Sequence, residues 1–161
     1  MVTVFKAKNA GFYVKFNDSL TAQQVVKSLP LEGTVCRWGD EIYFSVNINV
    51  PSEGKTRDVD VGDVAYWPEG KSLCVFFGPT EASISEKPVP ASPVIIIGKT
   101  MASPEELREI KAGEKITVFI FVKKASFTSG INLYEDTRKL SQEEIDELVR
   151  KLLAEKEQIS P

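Results

Sequence analysis

The stretch Glu41-Ile42-Tyr43-Phe44-Ser45-Val46-Asn47-Ile48 decides the fold class. Ile42, Phe44, Val46 and Ile48 fall on one face, and Glu41, Tyr43, Ser45 and Asn47 on the other. An apolar residue at every second position suits a strand with one buried face, because successive strand side chains point to opposite sides. Downstream, short β-prone runs recur at residues 64–67, 73–77, 94–97 and 116–122. Turn signals separate them at Val61-Gly62-Asp63, Pro68-Glu69-Gly70-Lys71 and Phe77-Gly78-Pro79-Thr80. Many short strands punctuated in this way predict a closed barrel or a sandwich, and a barrel also removes exposed strand edges.

Upstream, residues 2–6 and 12–16 read as a hairpin turned at Asn9-Ala10-Gly11. A helix follows. Thr21 and Gln24 form a capping box, Ala22, Val25, Val26 and Leu29 share one face, and Pro30 stops it. A second short helix is predicted at Ser103-Pro104-Glu105-Glu106, with a serine cap and proline at the first helical position. Residues 87–93, Lys-Pro-Val-Pro-Ala-Ser-Pro, form a stiff extended connection. The expected architecture is mainly β, with a barrel domain over residues 1–124. An extension over 125–161 ends in a charged helix, residues 141–157, with an apolar stripe of Ile145, Leu148, Val149, Leu152 and Leu153. That stripe docks on its own domain or recruits a partner, a second copy of the chain included.

A chain of 161 residues suits one domain, and 42% hydrophobic with 27% charged residues suits an ordinary globular core. The net charge of −3 and the interleaving of acids with bases argue against nucleic acid as a partner. No run approaches the roughly 18 apolar residues of a spanning helix, so no membrane partner is expected. The two cysteines, Cys36 and Cys74, lie far apart in apolar or aromatic segments and read as reduced buried thiols, with a disulfide or a reactive thiol as the alternative. The cytoplasm is the expected compartment.

The chain contains no histidine, which removes histidine-based nucleophile systems, histidine general acid–base work and histidine-ligated zinc. Two isolated cysteines make no metal site, and neither glycine-rich phosphate loop occurs. No cofactor is expected. What remains is acids and aromatics. Residues 31–41 gather Glu32, Asp40, Glu41, Arg37 and Trp38 around two glycines. These acids serve as turn formers or, if one is desolvated, as an acid–base pair. Tyr66-Trp67-Pro68 and Phe76-Phe77-Gly78-Pro79 add aromatic clusters that read as core or as pocket walls.

Residues 29–34 (Leu-Pro-Leu-Glu-Gly-Thr), 38–44 (Trp-Gly-Asp-Glu-Ile-Tyr-Phe) and 61–68 (Val-Gly-Asp-Val-Ala-Tyr-Trp-Pro) resemble a family of small bacterial and archaeal proteins with a cyclophilin-like fold. Residues 76–80 and 91–98 continue the match in the same order, over about residues 2–122. The resemblance implies a closed, mostly antiparallel barrel of about eight strands with a few short helices. It carries no established activity. True cyclophilins use an arginine, a Phe-Met-x-Gln strand and a pocket histidine; this chain has neither the string nor a histidine, though Arg37 or Arg57 could supply a guanidinium.

The leading expectation is therefore a pocket on one side of the barrel for a small polar or cationic ligand. It is built from Glu32, Trp38, Glu41, Tyr43, Tyr66, Trp67 and Phe77, with the aromatics as walls and the carboxylates as anchors. The alternatives are weak prolyl isomerisation or proline-peptide binding, and an interaction module that uses the C-terminal helix.

Overall fold

The computed structural model describes residues 1–8, 10–51, 53–121 and 143. Among these residues nine strands form one antiparallel sheet that curls into a nearly closed barrel. In chain order they are β1 (Val2–Lys6), β2 (Gly11–Phe16), β3 (Leu31–Thr34), β4 (Cys36–Arg37), β5 (Glu41–Ser45), β6 (Asp63–Trp67), β7 (Ser72–Phe76), β8 (Ile95–Lys99) and β9 (Lys115–Ile120). Their lateral order is β3-β9-β1-β2-β8-β6-β7-β5-β4. The expected hairpin is β1–β2, with Val4 opposite Tyr13. Two strands lie outside the seven runs read from the sequence, both within residues 31–37: Glu32 of β3 pairs opposite Thr117, and Cys36 of β4 opposite Tyr43.

Among the described residues two helices accompany the barrel. The first, α1 (Leu20–Ser28), is capped by Ser19, whose hydroxyl accepts the amide N–H of Ala22 at 3.1 Å. This corrects the predicted cap. Thr21 lies inside the first turn, is buried, and donates its hydroxyl to the carbonyl of Pro51 at 2.8 Å. Ala22 and Val25 face the core as expected. The second, α2 (Pro104–Arg108), has its predicted cap, with the Ser103 hydroxyl accepting the Glu106 N–H at 3.2 Å. The C-terminal helix and the rest of the 125–161 extension, Glu143 apart, lie outside the described residues.

Alternation along the strands sorts side chains into two apolar groups. Ile42, Phe44, Val64, Tyr66, Leu73, Val75, Ile95 and Ile97 point into the barrel with Phe5, Phe12, Ile116 and Val118. The opposite faces of β5, β6, β7 and β8 carry a second cluster of Val59, Ala65, Cys74, Phe76 and Val94, flanked by Tyr43, Trp67 and Ile96. An outer sheet face this apolar needs a cover. The cover is the proline-rich segment 88–94, here called the strap.

The strap is tied down along its length. Thr56 and Val94 exchange backbone hydrogen bonds of 2.8 and 2.9 Å. The Thr80 hydroxyl donates to the carbonyl of Val89, and the Ser83 hydroxyl to that of Lys87 at 2.8 Å. The Lys87 ammonium reaches Asp58 at 2.8 Å and Asp60 at 2.9 Å. These two carboxylates raise the pKa of the lysine, and the lysine lowers that of Asp60.

Candidate functional site

Under the strap lies a cavity of about 240 Å³. Trp38, Glu41, Tyr43, Trp67 and Phe76 line it from the sheet side, and Pro90, Ala91, Ser92 and Val94 from the strap. The strands set these positions. Because Ile42 and Phe44 enter the barrel, Glu41 and Tyr43 must face outward. On the neighbouring strand Phe76 is paired with Glu41, and Cys74 with Tyr43. The β4–β5 turn brings in Trp38, whose backbone N–H donates to the Glu41 backbone carbonyl at 3.0 Å.

That turn depends on Gly39. Its φ is +60°, a conformation that side chains disfavour, and an added Cβ would lie 2.8 Å from the carbonyl oxygen of Pro79. The tight approach lets the Asp40 N–H donate to Pro79 O at 2.9 Å and the Phe77 N–H to Asp40 O at 2.9 Å. Trp67 is held in two ways. Its indole N–H donates to the Ser92 hydroxyl of the strap, and its ring lies on Gly70, where a Cβ would come within 2.2 Å of ring carbon. The Tyr43 and Trp67 rings meet edge to face, 5.9 Å apart at 87°.

Glu41 is the electrostatic centre of this site. It is only 5% exposed, and none of the ion pairs among the described residues includes it. Burial disfavours the charged form and pushes its pKa up to about 7, against a smaller opposing effect of the Cys74 thiol, which donates to it. The thiol answers in kind: burial and the adjacent carboxylate raise its pKa well above the ordinary value, so Cys74 is a neutral thiol rather than a nucleophile. Burial first, and then the neighbouring Cys36, Glu41 and Cys74, push the Tyr43 phenol upward too. One carboxyl group beside a thiol and a phenol that stay protonated can thus gain or lose a proton near neutrality.

Of the seven residues named from sequence, the structure brings Trp38, Glu41, Tyr43 and Trp67 together on the cavity. The other three lie elsewhere. Glu32 is exposed on β3 and pairs with Lys115 at 3.1 Å. Tyr66 and Phe77 belong to the barrel interior. The proposed carboxylate pair also separates, because Asp40 is engaged by Arg108 at 3.0 Å and by Arg37 at 3.7 Å. Arg37 itself donates to the carbonyls of Ile110 (2.9 Å) and Gly39 (3.0 Å) and stacks its guanidinium over Phe77, 5.1 Å from the ring centre. These bonds tie the β4–β5 turn to the segment that follows α2. Cys36, expected to be buried, is exposed, while Cys74 is buried as expected; neither is in a disulfide.

Phe76, Cys74 and the strap residues were not among those seven. Applied to residues 73–77, the alternation rule would have found the first two, since Leu73 and Val75 go inward and Cys74 and Phe76 outward. A second groove of about 370 Å³ lies on another part of the surface, between Tyr13, Lys15, Lys99 and Glu106. Its two lysines and its glutamate are exposed, so it holds no desolvated charge. Among the described residues no group of three or more acid or cysteine side chains is placed to hold a metal ion. No helix among them is long and apolar enough to cross a membrane.

Comparison with known proteins agrees with this architecture. The family model described as cyclophilin-like matches residues 2–119. The solution structure of a hypothetical protein from Archaeoglobus fulgidus superposes with a TM-score of 0.64 at 35% identity, covering 74% of this chain and 93% of the archaeal one. Among the curated proteins none matches. The barrel, its order of strands and these matches lead to one assignment: the chain belongs to the cyclophilin-like family.

Proposed function

We propose that the cavity under the strap binds a small polar ligand, with the Glu41 carboxyl as its anchor and the aromatic side chains as its walls. The observation that carries this reading is a carboxyl group 5% exposed, without a cationic partner among the described residues, on the wall of an aromatic cavity. Such a group costs stability, and perturbed groups of this kind concentrate at functional sites. The volume of about 240 Å³ lies below the usual range of about 300–1,000 Å³ for drug-sized ligands, which favours a compact molecule. The unpaired cysteines fit a reducing compartment such as the cytoplasm.

A thermal-shift screen of small polar metabolites against wild type and Glu41→Gln tests the proposal. It expects at least one compound that raises the melting temperature of the wild type but not that of the variant. Compounds that stabilise both proteins equally, or neither, would count against Glu41 as the anchor.

A further inference from the structure

We propose that the ligand of this cavity is a small alkylated ammonium cation, boxed by Trp38, Tyr43, Trp67 and Phe76 and neutralised by the Glu41 carboxylate. This rests on the ligand-binding reading above and adds the chemical class. Three observations converge on it.

The first is the wall. Four aromatic side chains surround one small cavity, and Tyr43 and Trp67 stand at 87° to each other, making a corner rather than a flat slot. Aromatic faces attract cations through the ring quadrupole, most strongly where water is excluded. The second is the charge. Glu41 is buried and has no cationic partner among the described residues, so an arriving cation supplies the missing counter-charge, while an anion would meet repulsion. A neutral ligand supplies no counter-charge and leaves the buried carboxyl to stay protonated or to ionise uncompensated.

The third is the small number of hydrogen-bonding side chains. Beside the Glu41 carboxyl, only the hydroxyls of Tyr43 and Ser92 line the cavity as acceptors among the described residues, and that of Ser92 already takes the Trp67 indole N–H. A primary ammonium brings three donors, and each one left unpaired on burial costs binding energy. A quaternary ammonium brings none. Its methyl groups suit aromatic walls, and its diffuse charge needs only a nearby carboxylate.

The experiment uses the full chain and two probes of the same shape. Choline chloride carries the trimethylammonium group, and 3,3-dimethyl-1-butanol replaces it with an uncharged tert-butyl group. Binding is followed by the indole N–H signals of Trp38 and Trp67 at constant ionic strength. The expected result is saturable shifts with choline at a dissociation constant at least about tenfold below that of the alcohol. Glu41→Gln should erase that preference while both indole signals keep their folded positions. The wild-type comparison stands alone if the variant does not fold.

Equal affinity for the two probes overturns the cation assignment, as does a choline preference that survives in Glu41→Gln. No response to choline overturns it as well. If uncharged metabolites then still bind, the general reading of the cavity survives; if nothing binds, both fall.

Discussion

A carboxyl group on the outer face of a strand normally meets water, whereas that of Glu41 lies among Phe76, Cys74 and the strap. Folding therefore favours the protonated group, and stability must depend on pH in a defined direction. Below the ordinary value of 4.5 the side chain is neutral in both folded and unfolded chains, and its burial carries no charge penalty. Between 4.5 and about 7 only the unfolded chain ionises, so stability falls as pH rises through this window and levels off above it. The loss is on the order of 3 kcal/mol at about 1.4 kcal/mol per pKa unit. Glu41→Gln removes it. Denaturant titrations at pH 5 and pH 8 should show the variant gaining on the wild type by that order at the higher pH. Parallel behaviour of the two proteins would mean that the carboxyl is hydrated. The outward placement of Glu41 was legible from its own strand. Its burial was not, because the cover comes from residues about fifty positions later in the chain.

At the scale of elements, period-two alternation carried most of the fold and sorted the aromatics better than their chemistry did. Tyr66 and Trp67 are neighbours in sequence with similar polar handles, yet Tyr66 follows Val64 into the barrel and Trp67 follows Ala65 outward. Phe77 and Phe76 part in the same way. Short pairings were harder to read. The strand β3 owes its existence to β9, far along the chain, and β4 is only two residues long; residues 31–37 carry too little apolar alternation to announce either. The cap of α1 shifted because Ser19 and Thr21 are both good capping residues, and the buried bond from Thr21 to Pro51 decided between them. The β4–β5 turn yields a sharp test. Gly39→Ala must either strain φ or push the Pro79 backbone away, and an alanine forced into this conformation costs about 1–3 kcal/mol. Chemical denaturation should register that loss, together with a shifted Trp38 indole signal. A neutral effect would mean that the turn is looser than its 2.8 Å approach indicates.

For the whole molecule, the barrel depends on its last described strand. In β9, Ile116 and Val118 enter the core, and the strand lies between β3 and β1, pairing Gly33 with Ile116 and Val4 with Phe119. Deleting residues 115–161 should therefore abolish cooperative unfolding altogether. A truncated chain that still melted in one sharp transition would contradict this closure. Within the core, Leu73→Ala removes a fully buried side chain and should cost about 2–5 kcal/mol, read from the denaturation midpoint. A cost below about 1 kcal/mol would mean that the interior is loosely packed. The barrel was legible because many strands repeat one pattern. The position of the site was legible only in part, because it lies outside the barrel, where the strap rather than the strand pattern creates the cavity. The claim that this cavity is a binding site is tested most directly by NMR titration of the two indole N–H groups. Trp38 and Trp67 are the only tryptophans, and both line the cavity. Saturable shifts of both signals with a small polar metabolite, weakened in Glu41→Gln, are the predicted result. Indoles that stay unmoved across metabolite and peptide mixtures, while other resonances respond, would contradict it.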